Sequence, residues 1–163
     1  MKKLVLLSAM ALVSQSALGA ATDDINLRFL KATDSENVDQ VRSLLDQGAN
    51  IDYQVVEGDG MKLFMEPGTT ALILAVNRQN KELVKLLLER GASVLLRRMT
   101  SRLREPATAF ELAMWYYDYA VADGAGEDRQ RIAASIAYMI ANAGAQAYKR
   151  IADYIVSKVP VVK

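Results

Sequence analysis

Histidine and cysteine, the side chains that most often carry out chemistry, are both missing from this 163-residue chain. Without them the commonest general base, the commonest metal ligand and the thiol nucleophile are gone, which argues against an enzyme. Acid–base work would fall to carboxylates. Two adjacent pairs exist, Asp23 with Asp24 and Glu127 with Asp128, and the second gives a remote reading as a carboxylate-dependent hydrolase. Both pairs are explained more simply as solvated or helix-capping charges. Glu57, Asp59 and Glu66 share one stretch, but they lack the regular ligand spacing and the closing bidentate glutamate of a calcium loop, so no metal site is expected. Glycine patterns that cradle phosphates or dinucleotides, and nucleophile-elbow patterns, are absent beyond the leader, so no cofactor is expected.

The remaining distinctive side chains suit recognition. Arg97, Arg98, Arg102 and Arg104 stand among Leu95, Leu96, Met99 and Leu103. Their cluster sits in a chain of formal charge +1, far from the basic balance of a nucleic-acid binder, and an acidic protein surface is the better match. Phe64 and Met65 lie in an apolar stretch with Met61 and Leu63, and the run Met114-Trp115-Tyr116-Tyr117-Asp118-Tyr119 is densely aromatic. Tyrosine and tryptophan combine large apolar area with a hydrogen-bonding tip, which favours them at protein-binding hot spots.

At the amino end, Lys2 and Lys3 precede an apolar run from Leu4 to Val13 and a small, polar stretch from Ser14 to Ala21. This three-part pattern reads as a secretory signal peptide over residues 1–21, cleaved between Gly19 and Thr22. Its apolar core is about ten residues, against the roughly 20 that span a bilayer, so no stable membrane insertion is expected after cleavage. Loss of Lys2 and Lys3 turns 20 basic and 19 acidic residues into 18 and 19, a charge near −1. The absence of cysteine leaves neither a lipid-attachment residue nor a disulfide. The expected location is a bacterial periplasm.

Two stretches align without gaps. Ala32 leads through Val38, Val41, Leu44 and Leu45 to Gly48-Ala49, and Ala75 leads through Val84, Leu87 and Leu88 to Gly91-Ala92. The i, i+3, i+4 spacing of Val84, Leu87 and Leu88 predicts one apolar helix face, as does that of Val41, Leu44 and Leu45. Gly48 and Gly91 then stand where a helix ends in a left-handed residue. Each unit is expected to be a helix, a short turn, a second helix and a glycine stop.

These units resemble the ankyrin repeat, with its Thr-Pro-Leu-His-x-Ala opening and Val-x-x-Leu-Leu-x-x-Gly-Ala ending. Gly68, Thr70, Leu72 and Ala75 match the opening, with Ala71 at the usual proline and Ile73 at the usual histidine, and Val84 to Ala92 match the ending. The first unit looks degenerate and keeps Phe29 and Ala32. A third is traced by Thr108, Phe110 and Ala113, then Ile140, Gly144 and Ala145, with fifteen extra residues that lengthen its helices or their connecting loop around 123–126. Tyr148, Ile151, Ala152 and Ile155 have helical spacing and look like a cap.

The resemblance implies an all-α solenoid over residues 22–163, with repeats at about 24–52, 68–95 and 106–145 and a cap at 146–159. It also implies binding of another protein through inter-repeat loops and inner helices. The loops are long here, from Asp52 to Pro67, where an extended hairpin is expected, and from Ser93 to Pro106. The candidate contacts are therefore Phe64, Met65, Arg97, Arg98, Arg102, Arg104, Leu112, Trp115, Tyr116 and Tyr119. Two readings stay open at each place: Phe64 and Met65 either face a partner or fold back over the stack, the arginines either grip an acidic patch or are solvated, and the aromatics are either anchors or core. On the third unit's first helix, Phe110, Ala113 and Tyr117 are expected to face the next helix, while Leu112, Tyr116 and Tyr119 share another stripe, with Trp115 beside it.

A small exported binding protein without catalytic groups is similar in design to immunity proteins that block toxic effectors, including phospholipases, delivered to the periplasm. The alternative is an accessory to a periplasmic stress enzyme such as a catalase.

Overall fold

The computed structural model describes residues 25–56, 65–99 and 106–144; the expected signal peptide, the expected cap, Phe64, Arg102 and Arg104 lie outside them. Six helices are described: α1 (25–34), α2 (Val38–Asp46), α3 (Ala71–Asn77), α4 (Lys81–Glu89), α5 (Ala109–Ala122) and α6 (Glu127–Ala143). A two-stranded antiparallel ribbon, β1 (Arg97–Met99) with β2 (Pro106–Thr108), links the second helix pair to the third, pairing Arg97 with Thr108 and Arg98 with Ala107.

The helices form because apolar positions recur at their period and polar caps close their ends. Asn37 accepts a hydrogen bond from the Gln40 backbone N–H at 3.0 Å, and Asn80 accepts one from the Leu83 N–H at 3.0 Å. Thr70 caps α3 and Thr108 caps α5 by the same device. At Thr108 it is a full capping box, since the Glu111 carboxylate returns to the Thr108 backbone N–H at 2.7 Å. A side-chain cap satisfies an N–H that the helix leaves without a partner. Thr108→Ala is expected to lower the unfolding free energy by about 1–2 kcal/mol, measured as a fall in the thermal midpoint.

Equivalent residues occupy equivalent layers. Phe29, Leu72 and Phe110 are buried on the three inner helices, and Ala32, Ala75 and Ala113, about one turn further along, are buried with them. On the outer helices Val41, Val84 and Leu87 are fully buried, Leu44 nearly so, and Leu45 and Leu88 are half-buried. At each outer-helix exit the Ala49 N–H reaches the Leu44 carbonyl and the Ala92 N–H reaches the Leu87 carbonyl, both at 3.0 Å. Gly48 at φ 94° and Gly91 at φ 87° make that reversal, a conformation glycine reaches without a Cβ penalty. Gly144 differs: its φ is −94°, so α6 does not end by the same turn.

The layers stack in order, α5 on α3 and α6 on both α4 and α5, while α4 packs on α2. Polar links run along the edges. Arg78 reaches Asp34 at 2.6 Å, Arg90 reaches Asp46 at 2.8 Å, and the Asn80 amide donates to Glu36 at 2.8 Å. The Ser93 backbone N–H donates to Asp52 at 2.8 Å. The exposed ion pairs contribute at most about 1 kcal/mol each, so apolar contact between layers holds the stack together.

The third layer holds its fifteen extra residues in its helices. Helix α5 has 14 residues where α3 has 7, and α6 has 17 where α4 has 9. The turn between α5 and α6 is the one used by the earlier layers: the Ala125 N–H returns to the Ala120 carbonyl, as the Asn80 N–H does to Ala75 and the Asn37 N–H to Ala32. Glu36, Gln79 and Gly124 are the matched left-handed residues in these turns. Each helix of the third pair thus gains about two turns, roughly 10 Å at 1.5 Å per residue.

Candidate functional site

The expected contact residues divide between the two ends of α5. At its amino end, Arg97 on β1 donates to the Pro106 carbonyl and pairs with Glu111 at 3.3 Å. Arg98, with a side chain only 12% exposed, donates to the Thr69 hydroxyl at 3.3 Å and pairs with Glu66 at 3.6 Å. These two arginines fasten the ribbon to α5 and to the turn before α3. Gly68 explains the closeness, because a Cβ built on it would lie 3.1 Å from the Arg97 carbonyl oxygen and 3.1 Å from the Arg98 Cα. Met65 is half-buried and packs against the core, which matches its folding back over the stack. The described base of the first loop is closed by the Gly68 N–H on the Val55 carbonyl at 2.8 Å and the Val55 N–H on the Thr69 carbonyl at 3.0 Å.

Leu112 corrects the expectation. It is buried at 2% exposure and is no partner contact. The amino-terminal half of α5 is enclosed by α3 on one side and α6 on another, so the stripe it shares with Tyr116 is covered there. Phe110, Ala113 and Tyr117 are buried as expected.

Beyond Leu112 the same stripe emerges from the stack. Trp115 and Tyr116 are half-buried and Tyr119 is 54% exposed. Trp115 stacks on Tyr119 with ring centroids 5.5 Å apart and planes 15° apart, and meets Tyr116 edge-on at 5.0 Å. The Tyr116 hydroxyl donates to Asn77 Oδ1 at 3.4 Å, tying the aromatics to the preceding layer. Three rings held this way form a rigid apolar ledge with polar tips, so little side-chain freedom remains to be lost on contact.

The ledge borders a groove of about 800 Å³, produced because α5 and α6 overhang the shorter second layer. Asn77, Arg78 and Gln79 from the α3–α4 turn form one wall, and Arg129 and Ile132 from α6 line another. About eight residues of helix, roughly 12 Å, separate Tyr119 from the Arg97–Glu111 pair at the other end of α5. The structure therefore does not join arginines and aromatics into one surface. The groove walls Arg78, Arg129 and Ile132 were missed by reading the sequence; the signal that could have found them is Gly124, whose alignment with Gln79 divides the insertion between two helices.

Among the described residues, no three Asp or Glu side chains converge as a metal site, and no helix is long and apolar enough to cross a membrane. Glu127 and Asp128 both pair with Arg131, at 3.2 and 3.5 Å, in the first turn of α6, which suits the positive end of a helix.

A family model for the ankyrin repeat matches residues 68–98, the second helix pair and the start of the ribbon. The chain is also similar to the 2-5A-dependent ribonuclease of Homo sapiens, at 38% identity over 100 residues. That match takes in 61% of this chain and spans 12% of the ribonuclease.

Proposed function

Because the chain belongs to the ankyrin-repeat family, whose repeats are protein–protein interaction modules, we propose that it is an exported, periplasmic inhibitor that holds one toxic effector inactive, as an immunity protein does. A periplasm-targeted phospholipase is the type of effector proposed. The observation that carries the binding role is the overhanging third layer: two helices lengthened together present the Trp115–Tyr119 ledge on a rigid support. Export rests on the leader pattern of residues 1–21, and a role without catalysis of its own rests on the missing histidine and cysteine.

The test uses the mature protein as bait against periplasmic extract and against the proteins that sibling strains release. One partner should be retained, its toxic activity should fall on binding, and Tyr119→Ala should weaken retention by about 30-fold, the usual effect of losing an aromatic hot spot. Deletion of the gene should sensitise cells to attack by siblings and leave their peroxide resistance unchanged. Recovery of no stable partner, or peroxide sensitivity alone, would overturn the proposal.

A further inference from the structure

We propose that the groove beneath the overhang receives an acidic segment of the partner protein, with an apolar side chain seated against the ledge and carboxylates on either side of it. The inference rests on the binding-module reading and specifies the chemistry of what is bound. The groove's floor and walls are chemically uneven. Trp115 and Tyr119 offer stacked ring area, and Ile132, at 37% exposure, is an aliphatic side chain left partly in water on the facing helix. An apolar anchor placed between them removes both from solvent.

The flanking charges select the anchor's neighbours. Ile132 is also a wall of a second, smaller cleft of about 270 Å³ that includes Lys81, so Arg129 and Lys81 stand on either side of it. Neither makes an ion pair among the described residues, whereas Arg78 is held by Asp34, and Arg131 by Glu127 and Asp128. Asp123 also lines the groove and Asp128 the smaller cleft; Asp128 is held by Arg131, and the two cations without ion-pair partners outweigh Asp123. A guanidinium and an ammonium flanking an apolar seat attract carboxylates flanking an apolar side chain, and repel the basic equivalent. Arginine beside tryptophan and tyrosine is also the composition that concentrates binding energy at interfaces.

The chain has a single tryptophan, and it is in this groove, so its emission reports on the site directly. The probes are three short synthetic peptides free of tryptophan and tyrosine: one of glutamates around two leucines and a phenylalanine, one with each glutamate changed to lysine, and one of glutamates with no apolar residue. The first should change Trp115 emission saturably, with affinity that falls as salt rises. Arg129→Glu should weaken it by about tenfold or more, Lys81→Glu should weaken it to a smaller degree, and Arg42→Glu, exposed on α2 and outside the groove, should leave it unchanged. Arg129 and Lys81 are exposed, so these variants keep the fold, which circular dichroism checks.

An equal response to the lysine peptide, equal binding of the peptide without apolar residues, or unchanged affinity in Arg129→Glu would overturn the proposal. Emission that changes with protein concentration alone would also overturn it, by placing a second copy of the chain in the groove. A partner captured equally by wild type and Arg129→Glu defeats this inference and leaves the binding reading intact. A failed capture defeats the binding reading, whatever the peptides do.

Discussion

Leu87→Ala is expected to lower the free energy of unfolding by about 2–5 kcal/mol, a large share of the roughly 5–15 kcal/mol that holds a domain folded. Leu87 is fully buried on α4, the outer helix of the middle layer, which packs against α2 in the layer before and α6 in the layer after. Truncation removes three methyl or methylene-sized groups from water-free packing and leaves a cavity that two interfaces must absorb. In a stacked architecture stability is a sum of layer terms and interface terms, so damage in the middle layer acts on both interfaces. Urea unfolding should give a lower midpoint at an unchanged slope. Leu95→Ala is the control: the residue is 64% exposed and its loss should change stability by no more than about 0.5 kcal/mol. Equal effects of the two substitutions would contradict the layered packing.

Gly68→Ala is expected to cost about 2–4 kcal/mol, more than the same change at Gly48. Both glycines have left-handed backbones, at φ 81° and 94°, and a Cβ on either raises the energy by about 1–2 kcal/mol. Only at Gly68 is there also no room. The Gly48 Cβ would meet nothing within 4 Å, whereas at Gly68 it would press on the β1 backbone at 3.1 Å. The Gln54 side chain donates to both the Gly68 and the Arg97 carbonyls, at 3.3 and 3.2 Å, so displacing one strand disturbs the whole junction. Thermal melting of the two variants side by side measures the difference. An equal fall in both would mean that the ribbon yields without cost.

The layers were legible in the sequence because they rest on local rules. Gly48 and Gly91 had to be glycine for the helix exit, and Val41-Leu44-Leu45 and Val84-Leu87-Leu88 had to be apolar for the shared face. Thr108 marked its helix start by aligning with Thr70. Leu112 was misassigned because a helical wheel separates faces and carries no information on position along the axis. Its stripe is covered where α3 and α6 enclose α5 and open only about one turn later. Arg97 and Arg98 drew attention as an exposed cluster, while Glu111 and Glu66, which pair with them, come from separate elements that only the folded chain brings near. The division of the fifteen extra residues was likewise hidden, since long helices and a long loop fit the same alignment until Gly124 is seen to repeat the turn made at Glu36 and Gln79.

The groove is walled by two successive layers, Asn77 and Arg78 from the second and Trp115 and Tyr119 from the third. Whatever occupies it touches both, and so acts as a clasp across a joint that otherwise rests on side-chain packing and on polar links such as the Tyr116–Asn77 hydrogen bond. Its binding free energy is thereby added to the coupling between neighbours, by mass action and in proportion to the logarithm of its concentration over its dissociation constant. Occupancy and cooperativity are then one quantity seen from two sides: the guest tightens the scaffold, and any loosening of that joint, however far from the guest's own atoms, is paid back as weaker grip.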